Sequence, residues 1–276
     1  MKFKGNSKKF FKYFLLISWC IIVFLPLITV LIGSFKTYEE FNSTHGMAMP
    51  SNFSFENYKA AFIDGKMLQG FFNTFILILF GVTGSVIVGS MVAFILSRFN
   101  FKFKKIIMIC YLLVSIIPME VSQVATFKII NNLGLYNTRL SAIILYISAD
   151  IVMIYIYLQM LDKIPKEIDK AVILEGGSAF YLYRKVIFPL LKPATATVIM
   201  LKTISIYNDF YIPFLYMPDK KLNTVATTLF NFSGPAKIEW NIICAAIIIS
   251  MIPMIILFVF LQKKIVSGIT DAAIKG

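Results

Sequence analysis

Six apolar stretches, each near the length a helix needs to cross a bilayer, constrain this chain more than any other feature. They cover residues 14–35, 71–94, 106–118, 142–160, 194–217 and 241–261. A hydrocarbon core of about 30 Å takes about 20 helical residues, so the third qualifies only if it extends toward Thr126. Hydrophobic residues make up 58% of the sequence and charged residues 15%, against about 45–50% and about 25% in a soluble domain. A single soluble core cannot absorb that much apolar surface, whereas a lipid bilayer can. The fold class expected is therefore an all-α integral membrane protein with six transmembrane helices, built as a single transmembrane domain over residues 1–276. Neither a long internal repeat nor a low-complexity linker divides it. Lys8, Lys9 and Lys12 before the first stretch resemble the start of a signal peptide. The stretch is longer than the usual 7–15 residues and no small-residue cleavage site follows, so it reads as a retained helix.

Charge gives the orientation. The net charge is +13, from 27 Lys and Arg against 14 Asp and Glu. In a soluble protein that excess suggests nucleic acid. Here the charges track the loops rather than one face, which argues for no nucleic-acid partner. With the N-terminus inside, inner segments hold 18 Lys and Arg and outer segments 8, and Lys202 within the fifth stretch completes the count. The positive-inside rule then places both termini in the cytoplasm of a multi-pass protein.

Enzyme chemistry has little to build on. Cys20, Cys110 and Cys244 are dispersed in apolar stretches, with no disulfide framework or zinc spacing. His45 is the single histidine, so no catalytic residue and no metal site is assigned.

Two local patterns stand out. Ser85, Gly89, Ala93 and Ser97 recur every four residues, a small-residue stripe that lets another helix approach closely. Between the fourth and fifth stretches, residues 164–193 read IPKEIDKAVILEGGSAFYLYRKVIFPLLKP. Pro165 suits the first turn of a helix. Ile168, Ala171 and Val172 form a small apolar face, with Glu167, Asp169 and Lys170 pointing elsewhere. Gly176–Gly177 breaks that helix, Ser178 caps a second one, and Pro189 ends it. The product is helix, sharp turn, helix at the inner membrane surface. Read locally, it is either a docking element or an ordinary cytoplasmic loop.

This segment resembles the EAA loop of binding-protein-dependent ABC importer permeases: Glu-Ala-Ala, three residues, Gly, nine residues, Ile, one residue, Leu-Pro. The matching positions are Lys170, Ala171, Val172, then Gly176, then Val186, Phe188 and Pro189. All spacings agree. Glu175 stands where the sugar subfamily usually has Asp, and Lys170 replaces the motif glutamate, with Asp169 and Glu167 close by. Further passages resemble the carbohydrate branch, similar to the second permease subunit of maltose and multiple-sugar importers. They are Phe35-Lys36-Thr37, Asn73-Thr74, Arg98-Phe99, Tyr207-Asn208-Asp209-Phe210 with Pro213, and the ending from Gly268-Ile269-Thr270 to Lys275-Gly276.

The resemblance implies a type I ABC importer permease fold in a bacterial cell (inner) membrane. It implies three kinds of partner: a sister permease subunit, an ABC ATPase dimer, and an extracellular or periplasmic sugar-binding protein. The loop 164–193 would be the coupling element, with Asp169, Lys170, Ala171, Val172, Glu175, Gly176 and Pro189 as its residues. No G-x-x-x-x-G-K-[ST] phosphate cradle occurs in the chain. No cofactor is expected here, and ATP and Mg would be used by the partner ATPase.

Charges inside membrane stretches are functional candidates because leaving them unpaired in lipid costs several kcal/mol. Asp150 and Lys202 have opposite signs and could form a helix–helix salt bridge. Tyr207, Asn208 and Asp209 could line a hydrated substrate path with them, or Asn208, Asp209 and Pro213 could simply shape an interrupted helix. A stand-alone secondary transporter would show paired repeats with broken helices, and here only the fifth stretch looks broken. A membrane-embedded enzyme lacks both histidines and a carboxylate pair at helical spacing within the stretches.

Overall fold

A computed structural model describes residues 3–148, 150–232 and 238–273. Lys237 and the Lys275–Gly276 ending lie outside the described residues. The helices, in chain order, are α1 (Phe3–Gly33), α2 (Tyr38–Ser43), α3 (Glu56–Ile63), α4 (Met67–Arg98), α5 (Lys104–Ile116), α6 (Met119–Asn132), α7 (Arg139–Ile147) and α8 (Ile151–Leu161). They continue as α9 (Glu167–Leu174), α10 (Ala179–Tyr181), α11 (Phe188–Leu190), α12 (Lys192–Asn208), α13 (Tyr211–Tyr216), α14 (Val225–Asn231) and α15 (Trp240–Ala273). The described residues contain no strand.

Three helices are long and apolar enough to cross a membrane alone: 9–33 of α1, α4, and 240–260 of α15. Three bent pairs, each counted as one span, raise the total to six: α5 with residues 121–132 at 106°, α7 with α8 at 42°, and 179–190 with α12 at 76°. The all-helical, six-span architecture is thus present, with more breaks than the sequence suggested. The third span turns at Ile117, whose backbone is extended (ψ 120°), the conformation a following proline imposes. The fourth was expected to run unbroken over 142–160. It stops at Ile147 and restarts at Ile151, with Asp150 as the cap: its side chain accepts the Met153 N–H at 2.8 Å. A short acidic side chain competes well for backbone donors at such a position.

The chain folds as two compact units, residues 1–68 with 228–254 and residues 69–227 with 255–276. In the first, the Phe35-Lys36-Thr37 motif ends α1 in a polar knot. Lys36 is 1% exposed, and its Nζ donates to Thr44 Oγ1 (3.0 Å) and the His45 carbonyl (2.8 Å). Asn57 Nδ2 donates to the Ser34 and Lys36 carbonyls, and Asn241 Nδ2 donates to Asn57 Oδ1 (2.7 Å). Thr37 Oγ1 caps α2 by accepting the Glu40 N–H. Along α1 itself large apolar side chains such as Phe14, Trp19 and Phe24 stay exposed, as a lipid-facing helix requires.

In the second unit, the small-residue stripe does the work expected of it. Ser85, Gly89 and Ala93 are buried, and Ser85 Oγ donates to the Tyr146 carbonyl of α7 at 2.5 Å. On the same helix, a Cβ at Gly84 would lie 2.4 Å from Ile147 Cγ1, so α4 and α7 touch backbone to side chain.

The Asn73-Thr74 motif closes the other end of this unit. Asn73 is fully buried; its Nδ2 donates to the Lys221 and Asn223 carbonyls, and its Oδ1 accepts Nε (2.9 Å) and Nη2 (2.8 Å) of Arg139. Thr74 Oγ1 accepts the Val225 N–H (3.0 Å). One amide thus joins α4, α7 and the 219–225 turn. Asn73→Ala strands the Asn223 carbonyl and a guanidinium, while the Lys221 carbonyl keeps the Gln69 amide, and is expected to destabilise the protein by about 2–4 kcal/mol. Thermal unfolding in detergent checks this; an unchanged midpoint would show the clamp to be dispensable.

Candidate functional site

The loop 164–193 forms the expected helix–turn–helix. Helix α9 ends at Leu174, and Gly176 takes φ +81°, a left-handed conformation that glycine adopts without strain. Nothing lies within 4 Å of a Cβ built there, so the backbone angle alone demands glycine. At Gly177 the demand is spatial: a Cβ would meet Val172 Cγ1 at 2.6 Å and the Val172 carbonyl at 2.8 Å. Ser178 Oγ accepts the Tyr181 N–H (3.1 Å) and starts the second arm.

That arm differs from expectation at Pro189, which does not end it. Residues 182–187 widen into a π-helical turn, the Phe188 N–H reaches back to Tyr183, and α11 carries on through Pro189 to Leu190. A proline cannot donate to the carbonyl four residues earlier. A wider turn just before it is one way to accommodate that loss, and such turns recur at functional sites.

The two faces of α9 also sort differently from the simple pattern. Ile168 and Val172 pack on the core, while Ala171 is exposed together with Lys170 and Glu175. Asp169 turns inward. Its Oδ2 lies 2.8 Å from Arg98 Nε at the end of α4, with side chains 13% and 5% exposed respectively. Burial holds the Asp169 carboxyl above its ordinary value, a rise that the Arg98 and Lys166 charges offset only in part. Arg98 Nη2 also donates to the Ile164 carbonyl at 2.9 Å. The loop's tip is apolar and uncovered: Leu174 is 87% exposed, and Ile173, Phe180 and Tyr181 are also exposed. Sequence reasoning overlooked these four residues, although their position on either side of the glycine pair marked them.

The path candidates fall into two groups. Asp150 and Lys202 meet as anticipated, with Nζ 3.4 Å from Oδ2 and the same distance from the Ser148 carbonyl. With Ser205, Val198 and Ile156 they line a cleft of about 260 Å³. Asp150 and Ser148 also border a larger, mostly apolar cavity of about 570 Å³ with Tyr111 and Ser115.

Tyr207, Asn208 and Asp209 sit together at the end of α12. Tyr207 is buried; Asn208 is exposed, its Nδ2 donating to the Ile204 carbonyl. Asp209 brackets the break between α12 and α13: Oδ1 accepts the N–H groups of Tyr211 (2.8 Å) and Ile212 (3.2 Å), and Oδ2 accepts the Tyr146 hydroxyl (2.8 Å). Tyr146 is therefore a member of this group that the sequence did not single out. A neighbouring cavity of about 190 Å³ is lined by Ser122, Gln123, Thr126 and Tyr211. Hydroxyls and amides in apolar walls suit an uncharged, hydroxyl-rich solute. Among the described residues no cluster of His, Cys, Asp and Glu could hold a metal ion.

Comparison with known proteins agrees with this geometry. The family described as binding-protein-dependent transport system inner membrane component matches residues 85–271. The melibiose/raffinose/stachyose import permease of Bacillus subtilis is 29% identical, with 92% of each chain covered. The multiple sugar-binding transport system permease of Streptococcus mutans is 28% identical over all of both chains. A crystal structure of a bacterial ABC transporter that imports the acidic polysaccharide alginate superposes with a TM-score of 0.84. It covers 95% of this chain and 98% of its own at 19% identity, a likeness of fold.

Proposed function

Since the chain belongs to the binding-protein-dependent transport system inner membrane components, we propose that its cargo is a sugar and that the loop 164–193 couples it to a separate ATPase. The protein is a membrane permease subunit of an ABC importer, not an enzyme, and it works in a complex with other subunits. The fuller assembly we propose has a sister permease, an ATPase dimer that uses ATP and Mg, and an external sugar-binding protein. Residues 1–276 serve as one transmembrane domain that binds no cofactor. Both termini lie in the cytoplasm of a bacterial cell, on the same side as the loop, in keeping with the 18-to-8 bias of Lys and Arg.

The uncovered apolar tip carries this reading. Four large apolar residues flank a glycine turn in a loop with charged neighbours, and such a patch marks a protein contact. Closing the ATPase pair would move the docked loop and tilt the attached helices, opening the path alternately to each side. Asp150, Lys202, Tyr207, Asn208 and Asp209 would offer hydrogen bonds to passing sugar hydroxyls. The relatives' names point to short oligosaccharides.

The test is uptake of labelled raffinose and maltotriose by vesicles carrying the complete importer, alongside ATPase co-purification. Leu174→Asp alters an exposed side chain, so assembly of the helices should hold within about 0.5 kcal/mol. ATPase recovery and uptake should both fall roughly tenfold or more, as when an interface anchor is lost. Normal ATPase recovery would remove the docking role. Uptake of amino acids or peptides in place of either sugar would remove the cargo assignment.

A further inference from the structure

We propose that Arg98 is a positioning residue that latches the loop to α4, so that loop movement drives α4 directly as well as α12. The inference rests on the coupling role proposed for the loop. Ser90, Phe94 and Arg98 follow each other at four-residue spacing, so they form one stripe along α4. Each touches the loop. Arg98 holds the first arm at two points, the Ile164 carbonyl and the Asp169 carboxylate. Ser90 Oγ lies 2.8 Å from the Tyr183 hydroxyl in the π-turn of the second arm. Phe94 packs on the same tyrosine with ring centroids 5.5 Å apart. The two arms on either side of Gly176 are therefore both fastened to the same face of one membrane helix.

The chemistry makes Arg98 the critical member. A planar guanidinium can serve a carboxylate and a carbonyl at once, and an ammonium cannot match that geometry. The pair is nearly buried, so removing one partner leaves a charge that the other must carry alone. Asp169 engages Arg98 through one oxygen. The other, Oδ1, is buried and accepts no hydrogen bond among the described residues, and Arg98 Nε makes none either, so the contact is an ion pair rather than an aligned hydrogen bond.

Hydrogen exchange on the assembled importer in lipid nanodiscs tests the latch, read at residues 167–174 and 83–98 with and without Mg-ATP. Arg98→Ala should speed exchange at 167–174 roughly tenfold or more. It should also abolish the ATP-dependent change at 83–98, while the ATPase still co-purifies. Arg98→Lys should restore little, and Arg98→Asp combined with Asp169→Arg should restore much of both. Should Arg98→Ala fail to assemble, Arg98→Gln carries the same expectations with much of the side chain's length kept. Unchanged exchange at 167–174, or an ATP response at 83–98 that survives loss of the pair, overturns the proposal. Failure of the ATPase to depend on Leu174 would sink the docking reading instead, and would leave the exchange at 167–174 as a separate result.

Discussion

Gly176→Pro is expected to abolish coupling while leaving the membrane helices assembled. Proline fixes φ near −65°, and the turn needs +81° at this residue. The substitution also removes the Gly176 N–H that bonds the Ile173 carbonyl at 3.0 Å. The conflict costs about 3 kcal/mol or more locally, enough to redirect the chain between Leu174 and Phe180 and separate the two halves of the apolar tip. ATPase co-purification and uptake should both drop by roughly a hundredfold, since each 1.4 kcal/mol is tenfold in an equilibrium. Gly176→Asn, which tolerates the left-handed region, should keep most of both. Retention of coupling in a stable Gly176→Pro variant would show that the loop's shape does not matter.

The second large effect is expected at Asp209. Three donors converge on this carboxylate, two from the backbone of the next helix and one from Tyr146. Asp209→Ala strands all three and should destabilise the protein by about 2–4 kcal/mol, together with loss of uptake. Asp209→Asn can keep its amide oxygen on the Tyr211 and Ile212 N–H groups while its NH₂ donates to the Tyr146 oxygen. That variant should unfold near the normal temperature. If Asp209 also meets the passing sugar, its uptake falls while assembly and basal ATP hydrolysis hold; normal uptake would confine Asp209 to its bracketing role. Tyr146→Phe removes only one donor and should cost about 1 kcal/mol.

These two sites show how differently the sequence disclosed its parts. Gly176 was legible because a glycine pair eleven residues after a helix-starting proline, Pro165, can hardly be read otherwise than as a turn. Asp209 was visible as a charge in an apolar stretch, but its partners were not. Seven residues after Lys202, it would share that residue's face if the helix ran on unbroken. The break after Asn208 instead turns its carboxylate onto the backbone of α13 and onto α7. Lys202 pairs with Asp150, whose own role as a helix cap arises because the fourth span breaks.

The amino-acid sequence by itself determined the membrane class, the number of spans, the position of the helix–turn–helix loop and the small-residue stripe of α4. Each of these depends on the order and spacing of apolar, small and charged residues along the chain, which a helix converts into faces and lengths without outside help. The tertiary structure decided which charges meet. Asp169 and Arg98 are 2.8 Å apart, yet a whole pair of membrane segments separates them in sequence. A neighbour of Lys170 on a short amphipathic helix reads as solvent-facing until α4 arrives beneath it. Burial at such a position is set by the element that covers it, and no local periodicity records where that element ends.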